Sequence, residues 1–154
     1  MGRTLSGQDL LLFRAVQEPQ RRATVLQMLD ASITSGAPHP DAQCDAWELY
    51  DATGGADEPP VAVATTRPLD DGRIIELTAI AVASSRRRQG IGRRLIDDLS
   101  DAHRARGAML LITTTTADGM SAATVLQRWG FRQAPHHPPD DPPPAAGATF
   151  AIEL

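Results

Sequence analysis

Residues 86–94 decide the fold of this chain, and they read Arg-Arg-Arg-Gln-Gly-Ile-Gly-Arg-Arg. The preceding residues 74–82 are rich in β-branched side chains, which is typical of a strand. The residues that follow predict an amphipathic helix, because apolar side chains recur at spacings of three and four: Ile91, Leu95, Ile96, Leu99 and Ala102. Gly107 then supplies a helix stop. The segment therefore predicts a strand, a glycine-containing turn and a helix.

This order of elements favours an anion site at the turn. The first N–H groups of a helix have no partner within the helix and lie at the positive end of its dipole. Gly90 and Gly92 have no side chains, so a phosphate can approach their backbone. The arginines around them concentrate positive charge in a chain whose formal net charge is −4. We therefore expect a phosphate-bearing cofactor here.

Two familiar glycine loops do not fit the spacing. A dinucleotide-binding turn needs a third glycine at position 95, which holds Leu95. A nucleoside-triphosphate loop needs a Lys-Ser or Lys-Thr pair after its last glycine, but Arg93 and Arg94 follow. A different nucleotide loop remains as an alternative.

The remaining pattern, Arg87-x-x-Gly90-x-Gly92, resembles the coenzyme A pyrophosphate loop of the GNAT superfamily of N-acetyltransferases. Residues 80–82, Ile-Ala-Val, are similar to the strand that precedes this loop in the family. Residues 129–131, Trp-Gly-Phe, are similar to its later helix-end signature. These features occur in the family's order, which makes the combination far more specific than the loop alone.

The resemblance implies an α/β (α+β) fold in a single domain over residues 1–154. Its mixed, mostly antiparallel central sheet is flanked by helices, and strands 4 and 5 splay apart to admit coenzyme A. The residue patterns along the chain predict strands and helices that agree with such a fold. They predict strands at 10–16, 47–52, 61–67, 74–82, 109–115, 131–134 and 149–154, with helices at 19–33, from 91 to the Gly107 stop, and at 121–129. Residues 135–148 form a proline-rich loop, since proline lacks a backbone donor.

The resemblance further implies an N-acetyltransferase that uses acetyl-coenzyme A and no metal. Backbone N–H groups of residues 88–93 would bind the pyrophosphate, and the strand at 80–82 would pair with the pantetheine arm. The cofactor-binding residues would be Ile80, Ala81, Val82, Arg87, Arg88, Gln89, Gly90, Ile91, Gly92, Arg93 and Ser121.

Glu76 is the candidate catalytic base, and the backbone of Ile80 is the candidate oxyanion donor. A protonated amine must lose a proton before it attacks a thioester, and the carbonyl oxygen needs a donor as charge develops on it. On a regular strand Glu76 shares a face with Thr78, Ile80 and Val82. The alternative for Glu76 is an ion pair with an arginine across the hairpin, either Arg67 or Arg73.

The chain departs from the family where a helix tyrosine often protonates the leaving thiolate. That position holds Leu126, and the single tyrosine of the chain is Tyr50. The thiolate, whose conjugate acid has a pKa of about 8.5, can leave unaided or with help from water or Ser121. This departure supports a second hypothesis, a non-catalytic acyl-coenzyme A sensor or scaffold.

The composition of the chain limits the classes of partner that it is expected to bind. An acidic balance argues against nucleic acid, and no run of about 18 apolar residues predicts a membrane span. A single cysteine and the lack of an apolar signal core favour the cytoplasm. The acceptor is expected to be a small-molecule or peptide amine, bound near acidic side chains such as Asp41, Asp45, Asp140 or Asp141. An edge strand near the C-terminus could pair with a second copy to form a homodimer.

Overall fold

A computed structural model gives the fold, and it describes residues 11–31, 44–53, 59–86, 89–114, 120–133 and 149–154. In these residues the strands are β1 (Leu11–Val16), β2 (Asp45–Asp51), β3 (Ala62–Leu69), β4 (Ile74–Val82), β5 (Leu110–Thr114), β6 (Arg132–Gln133) and β7 (Thr149–Glu153). The helices are α1 (Pro19–Ala31), α2 (Ile91–Ala105) and α3 (Met120–Arg128). Of these helices, none is long and apolar enough to cross a membrane.

The strands form one mixed sheet in the order β1-β2-β3-β4-β5-β7-β6. All neighbouring strands are antiparallel except β4 and β5, which are parallel. Parallel strands need a crossover connection, and α2 provides it. The first turn of α2 therefore follows the carboxyl end of β4, and the predicted mostly antiparallel sheet flanked by helices is confirmed.

The sheet has a hydrophobic core on each face. Ala62 and Ala64 of β3 belong to the core that contains the apolar stripe of α2, whereas Val63 between them belongs to the core that contains α1. Successive strand residues point to opposite faces, so α2 and α1 cover opposite sides of the sheet. We call these sides the α2 face and the α1 face. The α2-face core is the larger and holds Leu95, Ile96, Leu99, Leu111, Leu126, Phe131 and Phe150.

Both α2 and α3 end in the same hydrogen-bonded glycine motif. At α3, Gly130 has φ +99° and its N–H donates to the carbonyl of Gln127 at 3.1 Å. The N–H of Phe131 donates to the carbonyl of Leu126 at 3.0 Å, and both side chains are buried. This is a Schellman motif with its usual apolar contact. At α2, Gly107 has φ +94° and occupies the equivalent position.

The predicted elements occur with small differences at their ends. The bounds of β4 are those predicted, and α1 begins at Pro19 as expected. β3 extends past its predicted end at Arg67, through Pro68 to Leu69. Proline is tolerated there because the β2–β3 register ends at Thr66, so no β2 carbonyl needs a donor from residue 68. The proline-rich loop lies outside the described residues.

Candidate active site

The sheet opens between β4 and β5. Their register spans three residue pairs within the described residues and ends at Glu76 opposite Ile112. One further link follows, in which the hydroxyl of Thr113 donates to the carbonyl of Leu77 at 3.0 Å. β4 then continues to Val82 beside β3. The expected splaying of strands 4 and 5 is therefore confirmed, and the opening begins after Leu77.

A β-bulge in β4 lies at the start of this opening. Thr65 of β3 is opposite Ala79 and Thr66 is opposite Leu77, so Thr78 is an additional residue in β4. A bulge bends its strand and increases the local twist. Because the bulge comes directly after the last β4–β5 link, it accounts for the divergence of the two strands.

Beyond the bulge, two backbone N–H groups of β4 face the opening. The N–H of Ala83 donates to the carbonyl of Val61 at 2.8 Å, so Ala83 is directed at β3. Alternate residues of an antiparallel pair direct their polar backbone groups to the partner. Ala81 is therefore also directed at β3, and Ile80 and Val82 direct their N–H and carbonyl groups toward β5. A ligand in the opening can hydrogen-bond to β4 as an additional strand would.

The bulge also changes the face on which Glu76 lies, and here the sequence prediction was wrong. Ile80 and Val82 pack against the α2-face core, together with Ile75 and Leu77. Glu76 lies between these last two residues and so points to the α1 face, as do Ala79 and Ala81, which pack in the α1-face core. A regular strand would have placed Glu76 and Ile80 on one face. The single additional residue reverses the alternation between them.

Glu76 is ion-paired with Arg67, its neighbour across the β3–β4 pair. One guanidinium nitrogen of Arg67 lies 3.0 Å and 3.1 Å from the two carboxylate oxygens. The Glu76 side chain is 28% exposed, so water reaches this carboxylate. The alternative interpretation of Glu76 as a cross-strand ion-pair residue is thus seen in the structure. The same contact fixes the carboxylate just before the opening.

The first turn of α2 has the features of an anion site. Gly90 is the N-cap residue, with φ +74° and no side-chain capping bond. Among the residues that the structure describes, none has an atom within 4 Å of the place that a Cβ at Gly90 would take. The first bond of the helix runs from the N–H of Arg94 to the carbonyl of Gly90 at 3.1 Å, which leaves the N–H groups of the preceding turn without an intrahelical partner. The turn contains no acidic side chain.

Gly92 has a different environment from the one expected. It is buried, and a Cβ at this position would lie 2.3 Å from a carbon of the Trp129 indole ring. The structure thus requires glycine here for helix packing. Whether a phosphate also approaches Gly92 stays a prediction.

The arginines near the glycines contact different parts of the molecule. Arg93 donates to the carbonyl of Arg128 at the end of α3, at 3.2 Å. Arg94 donates to the carbonyl of Leu11 in β1, at 2.6 Å. Arg87 and Arg88 lie outside the described residues. Gln89 is exposed beside the turn, and Ser121 lies in the first turn of α3, where its side chain is not described.

Comparison with known proteins decides the family. Residues 24–131 match the model of the acetyltransferase (GNAT) family, a span of more than half of the chain. The chain belongs to the GNAT acetyltransferase family. Members of this family transfer an acyl group, and their acetyl donor is acetyl-coenzyme A. None of the curated proteins matches this acetyltransferase in sequence.

Solved structures share its fold at low sequence identity. A protein from Desulfovibrio desulfuricans assigned to the GNAT family superposes with a TM-score of 0.71 at 17% identity, covering 93% of this chain and 98% of its own. The Escherichia coli ribosomal-protein-S18-alanine N-acetyltransferase gives 0.64 at 18% identity, covering 93% of both chains. A Bacillus subtilis acetyltransferase solved with coenzyme A gives 0.63 at 16% identity, covering 94% and 99%.

The residues present fit coenzyme A. Its diphosphate needs several N–H donors and no adjacent carboxylate, and the uncapped first turn of α2 supplies both conditions. Its pantetheine arm carries amide groups, and the backbone of Ile80 and Val82 faces the opening to receive them. Bound there, the cofactor would supply an acetyl thioester next to the bulge.

The acetyltransferase lacks the helix tyrosine, as expected. Leu126 is 6% exposed and forms the apolar contact of the α3 Schellman motif with Phe131, so this position is part of the core. Tyr50 lies on β2, separated from β4 by β3, beneath the guanidinium of Arg14 at 4.1 Å from the ring centre.

Of the acidic side chains expected at the acceptor site, Asp45 is among the described residues, whereas Asp41, Asp140 and Asp141 lie outside them. Asp45 shares a face with Trp47 two residues later, and Trp47 packs edge-on against His103 of α2. Asp45 therefore lies on the α2 face, opposite Glu76. Its role in an acceptor site stays a prediction.

Sequence analysis missed three groups of polar residues. His103 is 2% exposed, and burial is the main cause that lowers its pKa below the usual value of 6.5. Glu48 is fully buried on β2 with two arginine partners. At the bulge, the Thr78 hydroxyl lies 2.7 Å from that of Thr65 and 3.8 Å from the sulfur of Cys44. This last group lies on the α1 face beside Glu76.

Proposed function

We propose that this acetyltransferase moves the acetyl group of acetyl-coenzyme A to a primary amine of a small-molecule or peptide acceptor. The observation that carries the proposal is the opening between β4 and β5. It brings backbone donors of β4, the uncapped first turn of α2 and a partly exposed carboxylate to one region of the sheet. Amide-forming acyl transfer needs a bound donor, an oxyanion donor and a base.

In this proposal the two substrates bind on different sides of the sheet. The first turn of α2 would hold the phosphates, and the backbone of β4 at the opening would bind the thiol arm. Glu76 points to the α1 face, so an amine that gives its proton to Glu76 approaches from that face. This arrangement lets the acceptor reach the thioester carbon while the cofactor stays bound.

Each of these residues then has a role in one step of the proposed reaction. Glu76 accepts a proton from the acceptor ammonium, directly or through water, which its partial exposure admits. The amine nitrogen bonds to the thioester carbon, and the N–H of Ile80 donates to the oxygen as negative charge develops on it. When the carbon–sulfur bond breaks, the electron pair leaves with sulfur, and the second proton of the attacking nitrogen passes to this thiolate, directly or through water, which gives the amide and the free thiol. Arg67 holds the Glu76 carboxylate at the edge of the opening.

We also propose a cytoplasmic location, since acetyl-coenzyme A is an intracellular metabolite and the single cysteine of the chain, Cys44, cannot form an internal disulfide.

Glu76→Gln tests the proposal, with Glu153→Gln as the matched control because Glu153 is an exposed strand glutamate on β7. Release of the coenzyme A thiol would be followed with a panel of amines, and cofactor binding by calorimetry. We expect Glu76→Gln to lower kcat/KM by about 10²- to 10⁴-fold, the usual contribution of a general base. Cofactor affinity should be unchanged, and the control should behave as wild type.

Three results would contradict parts of the proposal. A folded wild-type protein that does not bind acetyl-coenzyme A would remove the cofactor assignment. Binding without turnover of any amine in the panel would favour the sensor hypothesis. Full activity of Glu76→Gln would show that another group or water takes the proton.

A further inference from the structure

The first turn of α2 is packed directly on the end of α3. A Cβ at Gly92 would lie 2.3 Å from Cζ2 and 2.7 Å from Cε2 of the Trp129 indole, distances that real Cβ atoms do not show. The indole therefore occupies the space that a side chain at position 92 would need. Trp129 is partly buried and packs against the α2-face core.

The backbone of Trp129 is fixed by the end of α3. Its N–H donates to the carbonyls of Val125 and Leu126, at 3.1 Å each. The following Gly130 and Phe131 complete the Schellman motif, which anchors this turn in the core. The position of the indole is thus set by α3, and α2 accommodates it by having glycine at its second residue.

A second contact joins the same two helix ends. Arg93 donates through Nη1 to the carbonyl of Arg128 at 3.2 Å. This carbonyl lies at the negative end of the α3 dipole, where a guanidinium is favourable. Gly90 provides no side-chain cap for α2. The contacts of Gly92 and Arg93 with α3 therefore help to stabilise the first turn of α2.

We propose that Trp129 is a positioning residue for the cofactor diphosphate. By packing on Gly92, the indole fixes the direction of the N–H groups in the first turn of α2 before the cofactor arrives. Ordering these donors in advance removes an entropic cost from binding. The inference rests on the proposed cofactor, and it assigns Trp129 no contact with the cofactor.

The test uses Gly92→Ala, Trp129→Leu and the double variant, titrated calorimetrically with coenzyme A. Each single variant should weaken binding by about tenfold to hundredfold, as misplacement of binding groups commonly does. The double variant should bind more tightly than the product of the two single effects predicts, because the smaller leucine side chain leaves room for the added methyl group. Pantetheine carries the thiol arm without the diphosphate. Its affinity, measured by ligand-observed NMR, should stay within about twofold of wild type in all variants.

Gly107→Ala is the matched control, since it is also a glycine-to-alanine change but lies just after the opposite end of α2. It should reduce stability while leaving coenzyme A affinity unchanged, which separates destabilisation from positioning. If Gly92→Ala does not fold, Trp129→Leu carries the test. Unchanged coenzyme A affinity in the folded variants, strictly independent effects of the two substitutions, or an equal loss for pantetheine would each overturn the inference. Failure of the wild type to bind coenzyme A would instead overturn the proposed function, and this inference with it.

Discussion

The buried carboxylate of Glu48 is predicted to be a major determinant of stability. Its side chain is 0% exposed, and its two oxygens accept from Nε of Arg14 at 2.6 Å and Nε of Arg21 at 2.8 Å. Glu48 is in β2, Arg14 in β1 and Arg21 in α1, so the contacts join three elements on the α1 face. Glu48→Gln removes the charge and places an amide N–H₂ group opposite an arginine donor.

The exposure of the partners sets the size of the expected effects. Removing one member of a buried ion pair costs about 3–5 kcal/mol, and we expect about 3 kcal/mol for Glu48→Gln because water reaches part of this site. The Arg21 side chain is 14% exposed and that of Arg14 is 46% exposed. Water screens the more exposed pair, so Arg14→Gln should cost only about 0–1 kcal/mol. Arg21→Gln should cost about 2 kcal/mol, since it leaves the buried carboxylate with a single, exposed partner.

Urea denaturation, followed by the fluorescence of the buried Trp47, measures these free energies of unfolding. With a slope of about 2 kcal/mol per molar urea, Glu48→Gln should lower the midpoint by about 1.5 M. The ranking of the three variants by destabilisation tests the argument as much as the size of each effect does. If Arg14→Gln destabilises the protein as much as Arg21→Gln, or if Glu48→Gln costs less than about 1 kcal/mol, burial does not control this network.

Three further effects are expected. Acid should destabilise the protein through His103, whose pKa is lowered from 6.5 by burial and then by Arg106, against the opposing charge of Asp45. The unfolded chain therefore binds a proton at a higher pH than the folded protein does. As the pH decreases below about 6.5, the free energy of unfolding should decrease by up to about 1.4 kcal/mol per pH unit. His103→Gln should weaken this pH dependence in urea titrations at several pH values. Gly107→Ala should cost about 1 kcal/mol in thermal melts, because φ is +94° there; a stability equal to wild type would contradict the assigned motif. Thr78→Val should cost about 1 kcal/mol in the same melts by removing a hydrogen bond at the bulge, and an unchanged melting temperature would show that this bond contributes nothing.

The segment from β4 to α2 could be predicted because its signals are local. β-branched residues at 74–82 and the apolar repeat from Ile91 each report on a single element. Helix ends were also readable, since Gly107 and Gly130 stand where a left-handed residue is needed. These patterns need no knowledge of which strand pairs with which.

The bulge could not be predicted, because it exists only in the register between two strands. No residue of β4 marks Thr78 as additional; it becomes so when Thr65 and Thr66 pair with Ala79 and Leu77. A one-residue shift moves a side chain to the other face, so the inferred face of Glu76 was wrong even though its strand was right.

The burial of His103 had a usable signal that was overlooked. His103 follows Leu95 and Leu99 at spacings of four, so it continues the buried stripe of α2. Glu48 had no comparable signal. It lies between Trp47 and Leu49, and all three are buried because β2 has a packed core on each face. Alternation between polar and apolar residues is lost in such a strand.

In the proposed mechanism, the residues that determine cofactor affinity and those that recognise the acceptor lie on different faces of the sheet. The first turn of α2 and the contact between Gly92 and Trp129 belong to the α2 face, whereas Glu76, Arg67 and the hydroxyl of Thr78 lie on the α1 face. The backbone groups of Ile80 and Val82 lie in the plane of the sheet, so the proposed cofactor and acceptor sites share them. Substitutions that keep the bulge should therefore change the KM of one substrate at a time. A substitution that removes the bulge should affect both, because it would restore the alternation of β4 and close the opening that the two sites share.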